Sequence, residues 1–279
     1  MIYRVSGIFC YKGGNTFRKF KDYDQNKTYD VIVIGSSHAY RGYDPRIFGK
    51  HKLEMFDLGS SGQTLLNTYY IAKNYIKASS CKLVILDIYD IALSENGMEP
   101  AADLIENMTS SSTALEMAFA MKDPRAVNMA TLRMMRLNEA PSFQDTAYVM
   151  NGYSENKRTA EAMNKDKYRS YYNLNKDQLM YLKKILEYFK SLQLKVIAIT
   201  HPIPLELQKN SNHNQFYQNT MSVTSSMGVP YWDYSRTLIL DSKKDYFDEN
   251  HLNQYGVEKF NPVLIKDLHE HGYLPNNVE

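Results

Sequence analysis

At 279 residues, 43% of them hydrophobic and 23% charged, the chain is long enough for a sizeable core and has the balance of an ordinary soluble globular protein. The 33 basic and 31 acidic residues leave a formal net charge of +2, which excludes the basic footprint of a nucleic-acid binder. Two cysteines, Cys10 and Cys81, make neither a disulfide framework nor a metal-ligand spacing, and no run approaches the ~18 apolar residues of a membrane span.

Residues 1–28 open with MIYRVSGIFCYKGGNTF, which lacks the apolar core of a signal peptide. They are polar and glycine-bearing, and are expected to pack as an N-terminal arm. The basic clusters Lys19-Phe20-Lys21 and Lys243-Lys244 read as solvated surface. Residues 29–279 are expected to form a single α/β domain.

Strand-like runs then follow at Val31–Ile34, Leu53–Asp57, Leu83–Tyr89, Val196–Thr200 and, more weakly, Val229–Asp233. The first, third and fourth are nearly continuous apolar runs, as parallel strands covered on both faces require. Thr64 can cap a helix through Ile76, with Leu65, Leu66, Tyr69, Ala72 and Ile76 on one face. Asn175 can cap a second, where Leu179, Leu182, Ile185, Leu186 and Phe189 recur at helical spacing. A last helix is expected from Asn253 to about His269, with Pro262 inside it as a source of a kink. Strands alternating with helices predict a mostly parallel sheet of about five strands with helices on both faces, a three-layer flavodoxin-like fold. Residues 92 to about 165 break the rhythm. They are rich in Met, Ala, Ser and Asn, with helical patterns at Ala101–Met108 and Thr113–Met121, and read as a helical insertion that either shapes a pocket or pads the fold.

In an open α/β sheet, ligands bind beyond the carboxyl ends of the strands. Gly35-Ser36-Ser37-His38 lies at the end of the first strand. A serine there needs a histidine and usually a carboxylate to become a nucleophile. YFDENHLNQYGVEKF, residues 246–260, supplies both: Asp248 and His251 stand three residues apart just before the last helix, close enough to share one side of a turn. FDLGSSGQT, residues 56–64, ends the second strand; Gly59 and Gly62 allow close approach to a ligand, and its backbone N–H groups suit an oxyanion hole. No dinucleotide or P-loop pattern is present. An α/β-hydrolase would place its serine in G-x-S-x-G after a later strand, so that fold is rejected. His38 can line the pocket or bond loop backbone. His201, ending the fourth strand, can bind substrate or brace the Pro202–Pro204 turn, and Arg41 can meet a substrate anion or pair with Asp44, the latter favoured. No metal and no cofactor are expected.

The three motifs, GSSH, GSSGQT and D-x-x-H-L-N-x-x-G, resemble the SGNH (GDSL-type) hydrolase superfamily, above all the branch of the D-alanyl-transfer protein DltD and of alginate O-acetylation proteins. The resemblance spans the sheet and the motifs, and leaves out the arm and the insertion. It implies Ser37 as nucleophile, with Ser36 where relatives carry aspartate, and Asp248 and His251 as acid and base. It implies the backbone N–H of Gly62, with that of Ser37, at the oxyanion; Ser61 in the same block, and His38 and His201 at the same strand ends, are candidates for binding substrate. The family's third block, G-x-N-D, has no asparagine here, where the chain reads Leu86-Asp87-Ile88-Tyr89-Asp90; one lost oxyanion donor costs on the order of 3 kcal/mol in the transition state. The expected function is a serine-dependent ester hydrolase or O-acyltransferase acting on acyl or acetyl esters of carbohydrate or cell-envelope polymers, outside the cytoplasm. The alternative is a non-catalytic carbohydrate-binding or assembly protein on the same fold. The expected partner is a small-molecule or carbohydrate ester, with no nucleic acid and no membrane span.

Overall fold

The computed structural model describes residues 14–135, 147–160 and 172–275; Cys10 and the first part of the expected arm lie outside them. Gly14–Asp22 form a helix, α1. Phe20 stacks on Tyr75 (ring centroids 4.4 Å apart), and Tyr23, just beyond the helix, meets Phe56 edge-on (5.0 Å), so this segment is part of the main core. Lys19 is only 2% exposed, which corrects the reading of Lys19-Phe20-Lys21 as solvated surface. The helix turns Lys19 and Phe20 inward with Thr16 and leaves Lys21 in solvent.

Strand β1 (Tyr29–Ile34) follows the expected apolar run. Two short helices come next, α2 (Ser37–Gly42) and α3 (Pro45–Lys50). Ser36 and Asp44 cap them, their side chains accepting from the His38 and Arg46 N–H groups. β2 (Met55–Asp57) leads to α4 (Leu65–Tyr75), and β3 (Cys81–Asp87) starts on the buried free thiol of Cys81. The insertion holds α5 (Ala101–Asn107), α6 (Ser111–Ala120) and α7 (Pro124–Met134). It is not helical throughout, contrary to expectation, because it ends in a hairpin of β4 (Tyr148–Met150) and β5 (Tyr153–Ser154). Asn151 and Gly152 at its tip have φ of 47° and 87°, the left-handed pair that a two-residue hairpin turn needs. Only glycine fits at 152, where a Cβ would lie 2.0 Å from the Asp57 carbonyl oxygen. The Asn151 carbonyl accepts from the Asp57 N–H (2.9 Å) and its amide donates to the Met55 carbonyl (3.0 Å), so the hairpin covers the edge of β2.

The chain continues through α8 (Lys176–Ser191), β6 (Lys195–Thr200), α9 (Leu205–Lys209), α10 (His213–Ser226), β7 (Tyr231–Asp233), α11 (Tyr234–Thr237) and α12 (Gln254–Glu270). Asn175 and Asn253 cap α8 and α12 as expected, and α12 runs on through Pro262. No helix among the described residues is long and apolar enough to cross a membrane.

Five strands form one parallel sheet in the order β2-β1-β3-β6-β7. Ile32, Ile34, Val84, Leu86 and Ala198 pack on one face beneath α4, α8 and the insertion helices. Val31, Val33, Leu83, Ile85, Ile197 and Ile199 pack on the other, beneath α3 and α12. Burial of both faces is why these runs are continuously apolar. The chain steps from β1 outward to β2 and then back past β1 to β3, so strand order reverses beside β1 and a crevice opens at the carboxyl ends there.

The far side of the sheet is tied by ions. His213, buried at the start of α10, donates Nδ1–H to Asp90 (2.9 Å) and Nε2–H to Asp233 (3.2 Å). Burial opposes its charge, but the hydrogen bonds and charges of the two carboxylates outweigh burial and raise its pKa from 6.5 to about 9. A raised folded-state pKa means stability that is complete below about pH 6.5 and is lost as the pH climbs through about 9, on the order of 3 kcal/mol. Thermal unfolding from pH 6 to 10 should therefore show a steeper fall in Tm for the parent than for His213→Gln; parallel curves would contradict the charged cluster.

Candidate active site

Ser37 opens α2 directly after β1, and Asp248 and His251 sit on the loop that enters α12. That loop is held by Asn253. Its amide donates to the carbonyls of Lys244 (2.7 Å), Tyr246 (3.2 Å) and Arg158 (3.0 Å), while its Oδ1 caps α12 by accepting from the Gly256 N–H (3.0 Å). Gly256 is needed because a Cβ would lie 2.2 Å from the Asp245 carbonyl oxygen. The loop closes on itself through the Phe247 N–H to the His251 carbonyl (3.1 Å). The H-L-N-x-x-G part of the motif is thus a clamp that sets where His251 points.

The clamp brings together all three residues of the expected triad. Ser37 Oγ lies 2.7 Å from His251 Nε2, across 214 residues of sequence. His251 Nδ1–H donates to Asp248, 2.8 Å from Oδ2 and 3.0 Å from Oδ1. Asp248 Oδ1 also accepts from the N–H groups of Asn250 (3.0 Å) and His251 (2.8 Å). Burial pushes the Asp248 carboxyl up, but these hydrogen bonds and the adjacent imidazole outweigh burial and hold it below the ordinary carboxylate value. An ionised Asp248 on Nδ1 fixes the tautomer in which Nε2 accepts the Ser37 O–H. The His251 side chain is 19% exposed, so the pair is open to solvent.

His38 and His201, expected among the substrate-facing residues, lie behind His251 and are buried. His38 is stacked between His251 (4.3 Å, 13°) and His201 (4.2 Å, 23°), with Tyr89 tilted against it at 4.1 Å. Its Nδ1 is 3.2 Å from the Ser36 hydroxyl. Burial, then the neighbouring imidazoles, pushes its pKa well below 6.5, so His38 is a neutral plate behind His251. His201 turns inward instead of toward Pro202, with Nδ1 at 3.4 Å from Asp87 Oδ2, the oxygen that accepts the Tyr43 hydroxyl (2.7 Å). Tyr89 packs on His38 and its hydroxyl accepts from the Asn250 amide (3.2 Å).

The turn carrying Ser61 and Gly62 lies against the Ser36–Ser37 loop. Ser60 N–H donates to the Gly35 carbonyl (3.3 Å), and Gly59 packs so tightly that a Cβ would lie 2.8 Å from the Ser36 carbonyl oxygen. Ser61 is exposed and Gly62, at φ 62°, is half-buried beside the Glu99 carboxylate of the insertion. Two residues that sequence reasoning did not single out hold this turn. Asp57 accepts from the Gly59 N–H (2.7 Å), and the Lys19 ammonium donates to the Gly59 carbonyl and lies 3.8 Å from Asp57. Burial pushes the Asp57 carboxyl up and the Lys19 ammonium down, while their mutual attraction opposes both shifts. Asp57 could have been noticed as a carboxylate ending a buried strand. Lys19 carries no such signal, because only the packing of α1 buries it.

Arg41 does not pair with Asp44, contrary to the expected structural pairing. Asp44 is taken by Arg46, which also reaches Glu155 (2.6 Å), and the Asp44 cap of α3 sets that geometry within two residues. Arg41 instead lies over the rings of Phe247 (4.9 Å) and Tyr40 (5.1 Å), and Phe247 stacks in turn on His251 (5.4 Å, 16°). Among the described residues no group of three or more histidine, cysteine or acidic side chains could hold a metal ion.

A protein-family model matches residues 144–271, less than half of the chain. No curated protein matches the sequence. Among solved structures, the chain is similar to a GDSL-like lipase from Bacteroides thetaiotaomicron (13% identity, 91% of this chain and 95% of the other, TM-score 0.44). It is also similar to a lipase/acylhydrolase from Enterococcus faecalis (12% identity, 90% and 100%, TM-score 0.45) and to the psychrotrophic esterase EstA from a Pseudoalteromonas species (8% identity, 87% and 98%, TM-score 0.46). At such identities and scores the functional reading rests on the site itself.

Removing the buried cation isolates its part. Lys19→Ala leaves Asp57 without its partner and should lower stability by about 3 kcal/mol in urea titrations; an unchanged midpoint would show that Asp57 is already neutral in the parent.

Proposed function

We propose that the protein is a serine-dependent ester hydrolase, and that the single observation carrying this is the 2.7 Å contact between Ser37 Oγ and His251 Nε2, with Asp248 on the opposite ring nitrogen. His251 takes the Ser37 proton as Oγ bonds to the ester carbonyl carbon. The negative charge that forms on the carbonyl oxygen is met by backbone N–H groups of the Ser37 loop and the Gly62 turn. The bond to the alcohol breaks as His251 returns the proton to the leaving oxygen, and an acyl-Ser37 remains. Water, deprotonated by the same imidazole, then releases the acid and regenerates Ser37. Asp248 orients the ring and stabilises the imidazolium at each transfer.

Replacing the water by a sugar hydroxyl turns the same cycle into acyl transfer. The resemblance of the three motifs to proteins that handle envelope acyl groups favours an O-acyl, most simply O-acetyl, ester of carbohydrate as substrate. An open, half-buried serine suits a substrate that is part of a polymer, since nothing has to be enclosed. The reading places such a protein outside the cytoplasm.

With p-nitrophenyl acetate as reporter, Ser37→Ala should reduce release of p-nitrophenolate to the uncatalysed rate. Asp248→Asn should lower kcat by about 10⁴-fold, because the ring loses its tautomer and its counter-charge. A Ser37→Ala protein as fast as the parent would sink the proposal.

A further inference from the structure

We propose that Arg41 is the substrate-recognition cation of this site, and that the preferred ester carries an oxyacid anion, a carboxylate or a phosphate, close to the bond that Ser37 attacks. The proposal rests on the ester-hydrolase reading above and names its substrate class. Arg41 stands four residues after Ser37 on α2, so both side chains leave the same face of that helix. Its guanidinium lies over Phe247, whose ring lies parallel to that of His251, the base in contact with Ser37. The cation is therefore one ring away from the reacting pair.

Among the described residues no carboxylate neutralises it. The aspartates around the site are already engaged: Asp248 with His251, Asp44 with Arg46, Asp57 with Lys19 and the Gly59 N–H, and Asp87 with the Tyr43 hydroxyl, and the Glu99 carboxylate beside Gly62 makes no ion pair with Arg41. Among the described residues Arg41 makes neither an ion pair nor a hydrogen bond; its contacts are the faces of Tyr40 and Phe247. Its five N–H donors, in a planar fork, have no acceptor among the described residues. Lys19 lies over the same Tyr40 ring (4.7 Å), but its charge is matched by Asp57, which leaves Arg41 as the cation facing the site. A half-buried guanidinium held against two rings and without an acceptor suits bidentate capture of a carboxylate or phosphate.

Calorimetric titration of Ser37→Ala protein, which cannot turn over, tests the assignment without relying on catalysis. The ligands are monoethyl succinate and ethyl phosphate as anionic probes and diethyl succinate as the neutral one; the two anions tell carboxylate from phosphate. We expect at least one anion to bind on the order of 10- to 100-fold more tightly than the diester, a preference that Arg41→Gln removes and Arg41→Lys restores in part. Equal binding, no binding of any ligand, or a preference that survives Arg41→Gln would overturn it. In Ser37-containing protein, absence of turnover with the binding preference intact would overturn the hydrolase reading and leave the anion site standing.

Discussion

At Gly35 the backbone of β1 passes so close to β3 that a Cβ would lie 2.6 Å from the Asp87 carbonyl oxygen, and the arrangement of the whole carboxyl edge depends on that approach. The missing side chain lets the chain break out of the sheet at once, so Ser36 caps α2 and Ser37 stands directly above the end of β1. It also lets the turn after β2 fold inward, with Ser60 bonded to Gly35 and Gly59 against Ser36. Any larger residue would push β3 away and carry Asp87, Tyr89 and the histidines behind the site with it. The crevice at the reversal of strand order is a consequence of the topology, but its narrowness is set by this one glycine.

On that edge the charges are sorted by partner. Asp248 is solvated enough, and hydrogen-bonded enough, to stay ionised beside His251, while Asp57 is sealed off with Lys19 beneath the Gly59 turn. The two carboxylates have opposite pKa shifts for that reason: hydrogen bonds dominate at Asp248 and burial dominates at Asp57. Between them the column Phe247, His251, His38 and His201 holds the base by its faces while Asp248 holds it by its edge. A ring held between its neighbours and bonded at Nδ1 keeps Nε2 free to accept the Ser37 O–H. A second histidine bonded to carboxylates, His213, shows the contrast. Both of its nitrogens donate to carboxylates and it is buried, so it has no lone pair to offer and serves as a tie between β3 and β7.

The sheet and the positions of Ser37, Asp248 and His251 were legible because each announces itself locally. Short, β-branched apolar runs fit strands covered on both faces, and Asn253 and Asn175 mark helix starts by side-chain chemistry. The strand at Leu53 begins two residues later than read and the one at Leu83 two residues earlier, since pairing to β1 and not composition sets the ends. Asn151-Gly152, flanked by methionine and tyrosine within a segment of helical character, is a local signal that specifies the hairpin shielding β2. Lys19, the inward turn of His201 and the release of Arg41 from Asp44 were not legible. Each is decided by which neighbour arrives first in three dimensions: α1 over Gly59, Asp87 under His201, and Arg46 at the cap of its own helix.

The central claim is that Ser37 is an activated nucleophile, and a fluorophosphonate probe tests it most directly, because it reacts with a serine only when a neighbouring base removes the proton. Intact-mass and peptide analysis of the treated protein should show one adduct, located on Ser37 and absent after prior unfolding. A folded protein that takes up no label, or takes it up elsewhere, would contradict the account.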